Sequence, residues 1–529
     1  MTRFKRRLLL GLLALGLLRL PAAAVPALAH NVLDFGAVGD GQTLNTSAFA
    51  EAIAACAAAG GGTVYVPPGR YLTGSIELAS NLSLHLEAGA ELLYSGNPAD
   101  SPLVPSRWEG TNVHTHAPLI YARGKENISL TGRGTINGQG ELWWWRSGAT
   151  DPARREEAAV ARDAWRALFE RIEAGEKVTV EDFAVAAEHL RPSLVVFYEC
   201  RNVRVEGVTL TNSPMWLLHP IYSEDVVITG ARFISHGPNG DGLDIDSCRN
   251  VRVSDCTFDT NDDCIAIKSG RNADGRRTAR PTEYVTITNC VMNRGHGAVA
   301  IGSETAGDIR FVTASNIVCN GTDFGIRLKT QRARGGVVEH VRFSDWVIRG
   351  GKEEAIEVTS DYRRDLPPEP FSERTPILRD VVISHVTVID AAEVLNLNGL
   401  PEQYVENIRI HDVRGNGRTG FECLEADGVD VSGLQIDASE GPPYIIANSR
   451  NVRLSGLSTR RPPAGPMFRL ENVEALVLAD SRAQAGTPVF VEVAGPGSQR
   501  VRLQRNDVPA DTIPVRAAPD VAADAISLR

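Results

Sequence analysis

The hydrophobic and polar positions of this chain repeat on two scales, one of two residues and one of about two dozen. Short stretches alternate apolar and polar residues between Gly, Asn or Asp, and helical periodicity is nearly absent from them. A phrase recurs in which Asn or Asp precedes Val or Ile. It stands at Asn127-Ile128, Asn202-Val203, Asp225-Val226, Asn250-Val251, Asp308-Ile309, Asp380-Val381, Asn407-Ile408, Asn451-Val452 and Asn472-Val473, with Tyr284-Val285 a variant. Where nothing intervenes the spacing is roughly 21–27 residues, one supersecondary unit per repeat. Coils of this size cannot bury their apolar faces alone, but stacked they share one continuous core. The pattern predicts an all-β fold, a right-handed parallel β-helix. A leucine-rich horseshoe is the competitor, but its leucine and asparagine signature is missing.

Two segments break the repeat. Residues 47–59 are Ala-rich and amphipathic and end in Gly60-Gly61-Gly62, which predicts a helix capping the N-terminal end of the solenoid. Residues about 146–190 are charged and helix-forming around 151–189, and predict a helical insertion on the flank of the coils. The coils continue from about 400 to 529 with few notable polar residues, which assigns that region to structure.

Composition narrows the partners. The 529 residues carry a formal charge of −10, which argues against a nucleic-acid binder, since neutralising phosphates needs clustered basic residues. Arg3, Lys5, Arg6 and Arg7 precede an apolar run from Leu8 to Leu18, and Ala27-Leu28-Ala29 is a small-x-small cleavage pattern. Residues 1–29 therefore read as a signal peptide, and 30–529 as an exported chain, periplasmic or secreted. Without Arg3, Lys5, Arg6, Arg7 and Arg19 the formal charge falls from −10 to −15. No later apolar stretch is long enough to span a bilayer, so no membrane association is expected after cleavage. Eight cysteines make a sparse framework for this length, and Cys200 and Cys248 begin identical Cys-Arg-Asn-Val-Arg-Val hexapeptides. Repeat position, rather than disulfide pairing, explains them.

The chemistry lies where four segments align without gaps: Asp241 to Asp246, Asp263 to Lys268, Gly297 to Gly302 and Phe324 to Lys329. In each, the third and fifth residues are aliphatic and face the core, so the fourth and sixth point to solvent. One outer face then collects Asp244, Asp246, Lys268, Arg327 and Lys329. Parallel neighbours stand about 4.8 Å apart, which places Asp241 beside Asp263 and Asp262 beside His296. Asp262 thus faces a different neighbour from the Asp241 and Asp263 pair. Carboxylates so crowded cannot all ionise cheaply, which provides a proton donor next to an ionised base, the need of glycosidic hydrolysis. His296 is placed to hold the acid's proton, and Arg327 with Lys329 to bind a sugar carboxylate.

These residues carry a resemblance. Asn239-Gly240-Asp241, Asp262-Asp263, Gly295-His296-Gly297 and Arg327-Leu328-Lys329 stand in the order of the four signatures of the polygalacturonase family, glycoside hydrolase family 28. The sequence resembles that family from about Asp34-Phe35-Gly36-Ala37 to at least Lys329, and less distinctly to the end, with Gly240 for Thr and Leu328 for Ile. The resemblance implies metal-independent, inverting hydrolysis of α-1,4-galacturonosidic bonds in a pectic polysaccharide or oligogalacturonide. By carry-over Asp262 is the general acid, Asp241 and Asp263 activate water, His296 supports protonation, and Arg327 and Lys329 clamp the substrate carboxylate. Inversion rests on the resemblance, because carboxyls roughly 5 Å apart usually indicate retention.

Lys268-Ser269-Gly270-Arg271-Asn272 with Arg276, Arg277 and Arg280 forms a basic loop suited to a polyanionic sugar, which adds Lys268 and Arg271 to Asn239, Arg327 and Lys329 as substrate-binding candidates. That run, Gly302-Ser303-Glu304 and the insertion before Arg191-Pro192 resemble the bacterial exo-acting branch. Trp143, Trp144, Trp145 and Trp216 are read either as sugar platforms or as buried packing. The rival readings are endo-polygalacturonase, rhamnogalacturonan hydrolase, calcium-dependent pectate lyase and a noncatalytic carbohydrate-binding β-helix. No motif supports a metal, nucleotide or flavin cofactor, and nothing in the sequence sets the oligomeric state.

Overall fold

Period-two segments of four to six residues, each ended by a residue that tolerates a left-handed backbone, force the chain to turn before a strand can lengthen. In the computed structural model, which describes residues 29–147, 152–364 and 366–528, these segments wind into a parallel β-helix. Each complete coil contributes three strands, for example Leu218–Ile221, Glu224–Thr229 and Arg232–Ser235, and each pairs in parallel with its counterpart one coil away. The core is the stacked interior: Val203, Val226, Val251, Val285, Val312 and Val341 lie above one another at no more than 1% exposure.

The Asn or Asp of the repeat sits at positive φ at the strand start, φ 54° at Asn202 and 57° at Asn250, and its amide bonds the coil below. Asn127 donates to Asn81 at 2.7 Å, Asn202 to Asn127 at 2.8 Å and Asn250 to Asp225 at 3.1 Å. The register corrects two of the expected repeats. Phe311 and Val312, not Asp308 and Ile309, stand over Tyr284 and Val285, and the Asp308 carboxylate instead accepts from Val337 N at a turn. Asn472 likewise stacks on Asn448 rather than on Asn451. Tyr284, Phe311 and His340 replace the amide ladder with stacked rings 5.1 and 5.2 Å apart.

Helix α1, Thr46–Ala58, buries Phe49, Ala52, Ile53 and Cys56 over the first coil and closes the apolar end. Helix α2, Arg155–Glu173, and the short turns Val180–Phe183 and Ala186–Glu188 follow the twelfth strand, Thr135–Asn137. Sequence reasoning missed an antiparallel hairpin, Leu103–Trp108 with Thr111–His116. It packs against α2 through Trp108 and Trp165 and forms a second apolar cluster with Leu168, Ile172, Phe183 and Trp216. All eight cysteines are buried and free. No helix of the described residues is long and apolar enough to cross a membrane. The signal-peptide reading falls on residues 1–28, outside the described residues; Ala29 begins the first strand, Ala29–Asn31.

Candidate functional site

The site lies on the outer face of the sheet formed by Leu218–Ile221, Leu243–Asp246, Ile265–Lys268, the end of Thr282–Gly302, Thr322–Lys329 and Ile356–Thr359. The register is the one the alternation requires. Asp244, Ala266, Ala300, Arg327 and Glu357 form one outward column, and Asp246, Lys268, Gly302, Lys329 and Thr359 the next. Ala266, Ala300 and Gly302 are the small residues of this face, hereafter the trough, with Asp244, Asp246 and Lys268 toward one end and Arg327, Lys329 and Glu357 toward the other. The expectation of solvent exposure is corrected for all five outward residues: Asp244 and Asp246 are 0% exposed, Asp246 beneath the hairpin's Arg107, and Lys268, Arg327 and Lys329 are buried as well.

Asp241, Asp262 and Asp263 converge at the strand starts, with one carboxylate oxygen of each within 4.8 Å of the others. Asp262 therefore does not face apart from the other two, as strand spacing alone suggested. The turns leading into Leu243 and Ile265 fold all three carboxylates toward one point. Asp241 and Asp263 are buried, while Asp262 is half-buried and accepts from Asp263 N at 2.9 Å. Gly295 and Gly297 permit this approach: a Cβ on Gly297 would stand 2.7 Å from Asp263 Oδ1, and one on Gly295 2.5 Å from Cys264 Sγ. At Gly240 a Cβ would meet the Gly237 carbonyl at 2.9 Å, so this chain's turn is built for glycine.

The electrostatics separate Asp241 from Asp263. Burial, then the neighbouring charges of Asp262 and Asp244, push Asp241 well above the usual carboxylate range. Burial also pushes Asp263 up, but Lys329, Arg327, Lys268 and His296 together hold it down at about 2. Lys329 Nζ lies 2.8 Å from Asp263 Oδ2, with both side chains less than a tenth exposed. One buried carboxyl thus keeps its proton while its neighbour ionises. His296 N donates to Asp262 O at 3.0 Å, as the register predicts, and His296 Nδ1 lies 3.2 Å from Asp323 Oδ2. The Phe324 ring meets the imidazole edge-on at 5.2 Å and fixes its plane.

The substrate-binding candidates divide. Asn239 Oδ1 accepts from Arg191 Nη2 at 2.6 Å, and Arg191 also donates to the Pro214 and Pro238 carbonyls, which fixes the turn before Asp241. Lys268 is nearly buried, 3.1 Å from Glu304 Oε2 and 3.6 Å from Asp244, and 5.0 Å from the Trp216 ring. Arg327 Nε donates to Glu357 at 2.8 Å, and its Nη1 is buried without a partner, as is Asp263 Oδ1. Arg271 Nη1 donates to Glu109 at 2.8 Å and its backbone N to the Gly110 carbonyl, so it fastens the hairpin over the site. The other arginines of the basic loop are structural, contrary to expectation. Arg276 caps the carbonyls of Ala333 and Arg334, Arg277 those at the end of α2, and Arg280 that of Tyr222. Trp143, Trp145 and Trp216 are buried, and Trp144, half-buried, donates to Ser213 O at 2.9 Å.

Sequence reasoning missed Glu357, Asp323, Tyr362 and the roof residue Arg107. Extending the gapless alignment by one coil, Glu354 to Thr359 under Phe324 to Lys329, exposes Glu357. Tyr362 holds its ring 5.4 Å from the Arg327 guanidinium and 5.5 Å from Lys329 Nζ. Arg107 Nη1 donates to Asp246 Oδ1 and Ser247 Oγ, both at 2.7 Å, with the Arg107 and Asp246 side chains fully buried. Nothing near Arg107 in the sequence signals that contact.

Residues 182–433 match the family described as Glycosyl hydrolases family 28, and residues 29–88 match one described as Rhamnogalacturonase A/epimerase, pectate lyase-like. The chain is 32% identical over 459 residues to an exo-poly-alpha-D-galacturonosidase of Dickeya chrysanthemi, covering 80% of this chain and 74% of that one. It is 30% identical to a "Probable polygalacturonase" of Vitis vinifera over 77% of this chain and 79% of the relative. Among solved structures, a hyperthermoactive exopolygalacturonase from Thermotoga maritima is similar with a TM-score of 0.67 and 36% identity, over 75% of this chain and 91% of that one. With its site signatures in family order and relatives of this identity along most of its length, the chain belongs to glycosyl hydrolases family 28.

Proposed function

We propose that this protein is an exported exo-polygalacturonase that releases galacturonate from the end of a pectic chain by acid-base hydrolysis with inversion. The observation that carries the hydrolytic reading is the split between Asp241, which keeps a proton, and Asp263, which Lys329 keeps ionised at about 2. In this reading Asp241 hands its proton to the neighbouring Asp262. Asp262, the most accessible of the three, passes it to the leaving oxygen. Ionised Asp263, with Asp241 once its proton has moved to Asp262, draws the proton from the attacking water. His296, oriented by Asp323, steadies Asp262, and Arg327 with Lys329 and Tyr362 receives the sugar carboxylate.

The exo mode is supported by the roof. The hairpin is locked to the sheet by Arg107 and Asp246, and to the loop after Lys268 by Glu109 and Arg271, so one end of the trough is walled. A walled trough admits a chain terminus and not the middle of a polymer. The Dickeya and Thermotoga relatives, named as exo-acting, agree with this reading. Inversion is carried by the family: carboxylate oxygens within 4.8 Å of one another lie below the roughly 6.5–9.5 Å usual between inverting carboxyl groups.

The test is polygalacturonate incubated with the protein in excess chelator. New reducing ends without unsaturated products support the hydrolase. Unsaturated products that disappear in chelator would establish a calcium-dependent lyase instead.

A further inference from the structure

The sheet that begins with the Asn-Val-Arg-Val phrase carries two outward columns of arginines with opposite treatment. In the first, Arg201, Glu224, Arg249, Glu283, Arg310 and Glu339 alternate in sign coil after coil, and neighbours pair across the coils. Three residues further along the same strands stand Arg204, Arg252, Arg342, Arg409, Arg453 and Arg502, all exposed. The positions between them hold Val227, Thr286, Thr313, Val382 and Val477, with Asp430 the one carboxylate in the column. Arg204 reaches Glu206 at 3.3 Å, and Arg342 donates only to the Val341 and Asp380 carbonyls. The side chains of Arg252, Arg409, Arg453 and Arg502 make no ion pair or hydrogen bond among the described residues.

We propose that this arginine column, in which only Arg204 has an ion-pair partner, is a second, noncatalytic docking strip for a linear polyuronate. The chain that built a fully paired column three residues away leaves this one open, although its net charge is −10. Coils rise about 4.8 Å, so arginines two coils apart stand roughly 10 Å apart, and Arg252 and Arg342, with Thr286 and Thr313 between them, roughly 14 Å. Both exceed the physiological Debye length of about 8 Å, so they repel one another weakly. The spacing approximates two linked pyranose rings, which brings successive guanidinium groups to carboxylates on one side of an extended polyuronate. Half-buried hydroxyls two residues on, Ser254, Thr288, Ser315 and Ser344, line the same flat face and suit sugar hydroxyls. The strip lies on a different sheet from the aspartates, so it retains polymer without occupying the trough. The choice of polyuronate rests on the proposed substrate.

The test compares the whole protein with a variant carrying Arg252→Gln, Arg342→Gln, Arg409→Gln and Arg453→Gln. Affinity is read as native-gel mobility with polygalacturonate relative to mobility without it, which cancels the altered charge. The apparent dissociation constant for the polymer is expected to rise roughly fivefold or more, and the difference to vanish in high salt or with methyl-esterified pectin. Turnover of digalacturonate should stay within about twofold of wild type, which also reports folding. An unchanged dissociation constant, or tighter retention by duplex DNA than by polygalacturonate, overturns the proposal. The gel requires no turnover, so a failure of the proposed activity leaves this test standing.

Discussion

Lys329 reaches back across two coils to place its ammonium 2.8 Å from Asp263, and its own strand packs so closely on Gly302 that a Cβ there would collide with the Lys329 carbonyl oxygen. The same lysine is therefore both the partner that keeps buried Asp263 ionised and a member of the cationic end of the trough. Its removal is the sharpest probe of the site's electrostatics.

Lys329→Gln leaves Asp263 buried without its main cation, so its carboxyl rises from about 2. The acid limb of the kcat/KM profile should move up by about one pH unit or more, with a higher KM. The sign carries over to stability. A depressed carboxyl contributes stability above its unfolded value of about 3.9 that is lost as pH falls toward 2, and the variant gives up that contribution. An unmoved acid limb measured by initial rates removes Asp263 as the base.

Asp262→Asn preserves shape but cannot deliver a proton. Turnover should fall by about 10²–10⁴-fold while oligogalacturonide binding, measured calorimetrically, stays near wild type. Rates like wild type would end the assignment of Asp262 as acid.

Arg107→Leu strands a fully buried Asp246, which costs about 3–5 kcal/mol and should appear as a clear fall in Tm. Pairing it with Asp246→Leu should restore most of the loss, because two apolar residues replace a buried ion pair. Equal instability of the double variant would mean that hairpin packing, not the stranded charge, sets the cost.

The repeat and the four signatures were legible because each is written in consecutive residues: alternation fixed which side chains leave the coil, and stacking fixed their neighbours. Asp241 over Asp263 and Asp262 over His296 follow from that alone. What the alternation could not supply is anything that crosses coils out of register or arrives from an insertion. Arg107 meets Asp246 from 139 residues away, and its hairpin, rich in Thr and His, carries no strand-repeat phrase. The basic loop misled in the other direction: Arg276 and Arg277 read as a substrate patch because the sequence does not show that the Ala333 and Arg334 carbonyls stand beside the first and the carbonyls ending α2 beside the second. Asp308 and Asn472 imitated the repeat because a turn aspartate or asparagine before an aliphatic residue is common at any strand entry.

Proton NMR of the first turnovers decides the stereochemistry. The family reading gives the β-anomer of the released sugar before mutarotation; an initial α-anomer would side with the short carboxylate spacing and make one aspartate a nucleophile.

A trough walled at one end should release single sugars from a chain end. The most direct measurement is the size distribution of products from de-esterified polygalacturonate during the first few per cent of hydrolysis, in chelator. Saturated monogalacturonate alone, with the polymer's length nearly unchanged, is the result predicted by the Arg107 roof over Asp246. Mixed oligomers and a rapid loss of polymer length would contradict it and show an open, endo-acting groove.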